Sequence, residues 1–145
     1  MNDPIALLKR DHRDVAAMLK TLANSRPGAT RRKTTEKVVA ALKLHMAIEE
    51  DLVYPLIAER VGHEEEQEAE TEHVLARDGL AKMMQLVDEA GYGAAVAMVT
   101  AGIKHHVKEE ETEIFPKLKA QLDRDELAQL GDAVAQQKRS KPRAA

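Results

Sequence analysis

Apolar residues recur along this chain at intervals of three and four, the period of a helix with one buried face. Ile5, Leu8, His12, Val15, Leu19 and Leu22 fall on one such stripe. Asp3-Pro4 opens the helix, an N-cap acid before a proline at the first helical position. Asn24-Ser25-Arg26-Pro27-Gly28 breaks it. A second helix is predicted from about Thr30 to Val61, stopped by Gly62, with the stripe Val38, Leu42, His45, Glu49, Leu52, Leu56. A third is predicted from about Glu64 to Ala90, before Gly91, with the stripe His73, Ala76, Leu80, Met83, Val87. A fourth runs from about Gly93 to Leu122 on Val96, Val99, Ile103, His106, Glu110 and Ile114. Asp123-x-x-Glu126 has the form of a capping box and opens a short fifth helix. Four amphipathic helices on short loops predict an all-α fold, an antiparallel up-down-up-down four-helix bundle.

Polar residues interrupt these stripes in a pattern that packing does not require. Each of the four helices carries a histidine in its seam: His12, His45, His73 and His106. Two of them have a glutamate one turn on, at Glu49 and Glu110. A buried carboxylate without a partner is costly, and two in one narrow bundle repel each other toward protonation. A pair of cations between the helices removes that conflict, since a carboxylate can bridge two metals. The segment His45 to Pro55 also echoes His106 to Pro116, with His, Glu, a second acid, an aromatic and Pro at equal offsets. Proline inside a helical pattern removes a hydrogen bond and crowds the preceding turn. Its recurrence suggests two helices that bend or end at equal distance from a shared centre. The repeat favours His106 and Glu110 over the alternative pair His105 and Glu109, and places His105 about 100° round the helix. His63 and the run Glu64-Glu65-Glu66 read as solvated, the acids favouring a helix start.

Composition narrows the chemistry. The 145 residues suit one domain, predicted over 1–137, with a basic and disordered tail over 138–145. The chain has no cysteine, so disulfides, iron–sulfur clusters and thiolate sites are excluded. A His and carboxylate site favours iron, manganese or zinc. A net charge of −3 without a clustered basic face argues against nucleic acid. No apolar run suits a membrane span, and the N-terminus lacks the regions of a signal peptide, so the expected location is the cytoplasm. The exposed faces give no clear sign of oligomeric state.

Taken together, Leu8-Lys9-Arg10-Asp11-His12, the His45–Pro55 segment, Glu72-His73 and the His106–Pro116 segment resemble the hemerythrin-like, or HHE cation-binding, domain family. The resemblance implies a four-helix bundle around two iron ions, bridged by two carboxylates and an oxo or hydroxo group. It implies that His12 and His45 serve one iron, that His73 and His106 serve the other, and that Glu49 and Glu110 bridge. Two departures from the oxygen-carrying members stand out. Their third helix offers a second histidine where this chain has Arg77, and their last bridging residue is usually Asp at five residues rather than Glu at four. Water is one replacement for the missing nitrogen. Glu70 is another, three residues before His73, although the surface reading of that glutamate is the simpler one. Tyr54 lies nine residues from His45, about 180° round an ideal helix. It is expected to pack at the bundle end unless Pro55 turns its hydroxyl inward.

The lost nitrogen points away from reversible oxygen carriage. The expected function is a di-iron protein that reacts with or binds small species such as peroxide, nitric oxide or dioxygen. If it is an enzyme, it is a peroxidase- or catalase-like oxidoreductase. The alternative is a non-enzymatic iron or oxygen sensor, store or carrier.

Overall fold

The computed structural model describes residues 2–140 and is helical throughout, with no strand among the described residues. Helix α1 spans Pro4–Ala23, and the Asp3 side chain accepts from the backbone N–H groups of Ile5 and Ala6. Helix α2 spans Ala29–Ile48 and passes without a break through a wide π-helical turn, π1, Glu49–Val53, into α3, Tyr54–Arg60. Helix α4 spans His63–Gln85. Helix α5, Tyr92–Glu109, continues through a second π turn, π2, Glu110–Ile114, into α6, Phe115–Gln121. Helix α7 spans Arg124–Arg139, opened by the capping box of Asp123 and Glu126.

Four rods therefore form the bundle: α1, α2–α3, α4 and α5–α6. Each packs on the next in chain order, and α1 closes the ring against α5. Two boundaries differ from the sequence reading. The third rod ends at Gln85, and residues 86–91 form turns tied by Arg31, whose guanidinium donates to the Val87 carbonyl at 3.2 Å. The fifth helix is longer than expected and includes Lys138 and Arg139, which the sequence reading assigned to the tail. Ser140 caps that helix, and the last part of the tail, 141–145, lies outside the described residues. Helix α7 lies against α1, and Gly131 allows this: a Cβ there would sit 1.7 Å from the Asn2 carbonyl oxygen. No helix among the described residues is long and apolar enough to cross a membrane.

The interior divides into two apolar clusters. One gathers Val15, Leu19, Leu42, Met46, Leu80, Met83 and Ile103. The other gathers Leu8, Ile48, Tyr54, Ile57, Phe115 and Leu118. The seam histidines fall between them along every rod: His12 lies between Leu8 and Val15, and His106 between Ile103 and Ile114. A buried polar layer thus separates the two halves of the core.

The π turns determine what faces that layer. A π turn bonds each N–H five residues back rather than four. The Tyr54 N–H reaches the Glu49 carbonyl, and the Phe115 N–H reaches that of Glu110. Proline at the next position lacks a donor and crowds the carbonyl four residues back, and the widened turn relieves both. One extra residue per turn rotates everything downstream by about 100°. Leu52 and Leu56, placed on the buried stripe by ideal spacing, are only half-buried; Val53, Tyr54 and Ile57 are buried in their place.

Candidate metal centre

Six side chains converge in the polar layer, and all are buried: His12, His45, His73, His106, Glu49 and Glu110. They form two groups that share both glutamates. His12, His45, Glu49 and Glu110 each offer an atom within 4.8 Å of the others, as do Glu49, His73, His106 and Glu110. The glutamates span the groups in different ways. Glu49 Oε1 lies 3.3 Å from His45 Nε2 and 3.0 Å from His73 Nε2. Glu110 divides its oxygens, with Oε1 3.2 Å from His12 Nε2 and Oε2 3.2 Å from His106 Nε2. The structure thus brings together all six residues that sequence spacing selected. His105 is excluded: it is 64% exposed and pairs with Glu109 at 2.9 Å.

Four further acids fix the imidazoles. His12 Nδ1 lies 2.7 Å from Glu111, His45 Nδ1 2.9 Å from Asp11, His73 Nδ1 2.7 Å from Glu50, and His106 Nδ1 2.6 Å from Glu72. A carboxylate on one ring nitrogen sets the tautomer and leaves the other nitrogen free for a metal. In all four rings that free nitrogen is Nε2, and it faces the centre. Sequence reasoning gave none of these acids a role at the site. Their signal was adjacency: each directly precedes or follows a residue of the central six.

Tyr54 completes the site. Its hydroxyl donates to Glu110 Oε2 at 2.9 Å and lies 2.9 Å from His73 Nε2 and 3.3 Å from His106 Nε2. The hydroxyl lies on the His73–His106 side of the centre. The expectation that Tyr54 packs at the bundle end therefore gives way to its stated exception, and the π turn beside Pro55 supplies the rotation. Glu70 does not reach the centre. It is exposed, beside Glu66, and belongs to neither group. Arg77 points to Glu50, at 2.8 Å, and so braces the acid that holds His73.

The electrostatics couple the buried glutamates to the imidazoles around them. Burial alone would lower the pKa of His45, but the Glu49 charge and the hydrogen bond that its Nδ1–H donates to Asp11 raise it to about 10. His106 is likewise raised to about 11, its burial outweighed by Glu110 and Glu49. Burial works against the Glu49 charge, yet the surrounding histidines hold its carboxyl well below the usual range. Burial and the two glutamate charges push the Tyr54 phenol far upward. Two carboxylate oxygens, Glu49 Oε2 and Glu110 Oε1, remain buried with no well-aligned hydrogen bond among the described residues, although Glu110 Oε1 lies 3.2 Å from His12 Nε2. A buried acceptor left unsatisfied calls for an ion or water. Two carboxylates within reach of both histidine pairs, and four Nε2 atoms that can bind a metal once deprotonated, fit hard or borderline cations.

A cavity of about 20 Å³ adjoins the four histidines, enough for one or two small atoms. Its other walls are mainly aliphatic, from Val15, Leu42, Met46, Ala76 and Ile103.

The sequence matches the family model of the hemerythrin HHE cation-binding domain over residues 3–118. A crystal structure of a hemerythrin HHE cation-binding domain-containing protein from Mycobacterium kansasii aligns with a TM-score of 0.79. That alignment covers 95% of this chain and 86% of the other at 22% identity, and at this identity it speaks for the fold. No curated protein matches the sequence significantly.

Proposed function

From the premise that this chain belongs to the hemerythrin HHE cation-binding family, we propose that it holds two iron ions and uses them on a small oxidant or diatomic. The species are hydrogen peroxide, nitric oxide or dioxygen. His12 and His45 would hold one ion, His73 and His106 the other, with Glu49 and Glu110 shared. The observation that carries this reading is the pair of buried carboxylates inside a ring of four oriented imidazoles.

Bound iron supplies Lewis acidity and redox capacity. The chain supplies the rest. The four acids keep each imidazole in one tautomer. Tyr54 places an O–H donor between Glu110 and the His73–His106 pair, where it can hold a proton beside an incoming ligand. The small volume and the largely aliphatic walls restrict the cavity to small guests. A hydroxyl beside one histidine pair only makes the two ion positions unequal, which favours turnover over reversible oxygen carriage. That asymmetry supports a peroxidase- or catalase-like reading above a sensor, store or carrier.

Elemental analysis of protein from iron-rich culture tests the cofactor, with two irons per chain expected. Mixing reduced protein with oxygen, and oxidised protein with peroxide, then separates the functions. Steady peroxide consumption supports an enzyme. A spectrum that forms with oxygen and reverts on its removal overturns that reading in favour of a carrier.

A further inference from the structure

A surface groove between α4 and α5 shares a wall with the cavity beside the histidines. The groove is lined by Leu75, Gly79, Met98 and Gly102 among others, and Leu75 and Met98 are 65% and 76% exposed. Ala76, Gly102, Ile103 and Glu72 line both the groove and the cavity. Gly102 is exposed, and a Cβ built on it meets nothing within 4 Å. A residue that is exposed outside and also lines an interior cavity marks a wall one residue thick. Glycine within a helix is less stable than alanine. No crowding at Gly102 accounts for that loss.

The internal repeat supplies a control. At the offset that relates His12 to His73 and His45 to His106, the counterparts of Ala76 and Gly102 are Val15 and Ala41. Both are larger, and Val15 is buried at 2% exposure. The seam is thin on the Tyr54 side of the centre, and its counterpart between α1 and α2 carries bulkier residues.

We propose that the Ala76–Gly102 seam is the entrance through which a small uncharged molecule reaches the centre. This rests on the metal-centre reading above. Beyond the seam the walls are aliphatic, so an ion must shed its hydration to pass. The Glu72 carboxylate at the shared wall opposes anions further. Neutral nitric oxide, dioxygen or hydrogen peroxide therefore enters ahead of azide.

Stopped-flow mixing of reduced, iron-loaded protein with nitric oxide tests this. Gly102→Leu should slow association by about tenfold or more, within the range that single changes move on-rates. Dissociation should slow in parallel, leaving equilibrium affinity and iron content unchanged. Gly102→Ala, a favourable helix residue, should give a smaller slowing in a securely folded chain, and Ala41→Leu on the opposite seam should give none. Association in Gly102→Leu as fast as wild type, or equal slowing in Ala41→Leu, overturns the entrance. So does a wild-type protein that takes up iron but no nitric oxide. A wild-type protein that takes up no iron overturns the metal reading itself, and the entrance with it.

Discussion

The two halves of the centre repeat each other down to the acids behind their histidines, and part company at one aromatic position. In the first half, His12 is held by Glu111 and His45 by Asp11. In the second, His73 is held by Glu50 and His106 by Glu72, in the same order of helices. Each half also has one outer cation, on non-equivalent acids: Lys138 pairs with Asp11, behind His45, and Arg77 with Glu50, behind His73. Each half then places an aromatic ring beside a histidine. Phe115 stacks on His12 with ring centres 6.2 Å apart, and Tyr54 stacks on His73 at 4.9 Å. The Tyr54 ring carries a hydroxyl that reaches four groups of the centre, Glu49, His73, His106 and Glu110; Phe115 offers only carbon. A nearly two-fold scaffold thus presents unequal chemistry to its two positions, and the thin seam at Gly102 lies on the side that has the hydroxyl.

The largest expected effect comes from the residues that the halves share. Glu49→Leu should strip metal from both positions, because Glu49 Oε1 contacts histidines of both halves. The loss of affinity should exceed the roughly 10–100-fold typical of changing a residue behind a ligand. His12→Ala should weaken mainly one position. Metal content after dialysis against a mild chelator reads both, and equal residual metal in the two variants would break the assignment of Glu49 to both halves.

Next in size is a pH effect to which each half contributes one histidine. In the metal-free protein His45 is raised to about 10 and His106 to about 11 by the glutamates. The folded state then binds more protons than the unfolded one between about 6.5 and those values. Stability from these groups is fully present below about pH 6.5 and is lost as pH rises through 10 to 11. Glu49, held low, contributes in the opposite sense and loses its share as pH falls below the usual carboxylate range. Urea melts of metal-free protein across pH 5 to 11 check this, and His45→Ala and His106→Ala should each flatten the alkaline slope. A slope that survives in one of them alone would mean the halves are not electrostatically equivalent.

The difference itself is broken by Tyr54→Phe, which makes the second half a copy of the first. The lost bond to the Glu110 carboxylate should cost the metal-free protein about 1.5–3 kcal/mol, the range for a hydrogen bond to a charged group. Iron content should hold, while the rate with peroxide should change. Phe115→Tyr sharpens the test by offering a hydroxyl beside His12. If Tyr54→Phe leaves stability and the peroxide rate untouched, the asymmetry has no chemical role.

Much of this comparison was legible in the sequence, and the part that was not has a physical cause. Seam spacing placed all six central residues, and the two aligned segments chose His106 over His105, since register survives in a repeat even when helix geometry varies. Tyr54 was misplaced because the angular arithmetic assumed an unbroken α-helix. A π turn changes each hydrogen bond by a single residue, and Pro55 and Pro116 were its only trace in the sequence. The four outer acids escaped because each sits one residue off the stripe, where a helix normally meets solvent. They are only partly exposed, from 16% at Asp11 to 30% at Glu111, because each reaches across to a histidine on a neighbouring rod. The C-terminal helix was under-read for the opposite reason. Its basic end looked unpartnered, and its partner, Asp11, is almost the whole chain away.

The smallest effect concerns that distant contact. Lys138 lies beyond the residues matched by the family model, yet it pairs with the acid that holds His45. Arg77 does the same for Glu50 from within the bundle. Both cations are partly exposed, so each should contribute no more than about 1 kcal/mol to stability. Their effect on the centre passes through the acid: without the cation, the carboxylate is freer to leave its histidine or to take a proton. Lys138→Ala should therefore loosen metal in the first half only, and Arg77→Ala in the second only, each by a few-fold and less at high salt. Chelator-competition titrations of the two variants and of the double variant decide this. Independent additive losses mean that each half keeps its own outer support. A double variant that loses far more than the sum would show that the shared glutamates couple the halves through both outer pairs.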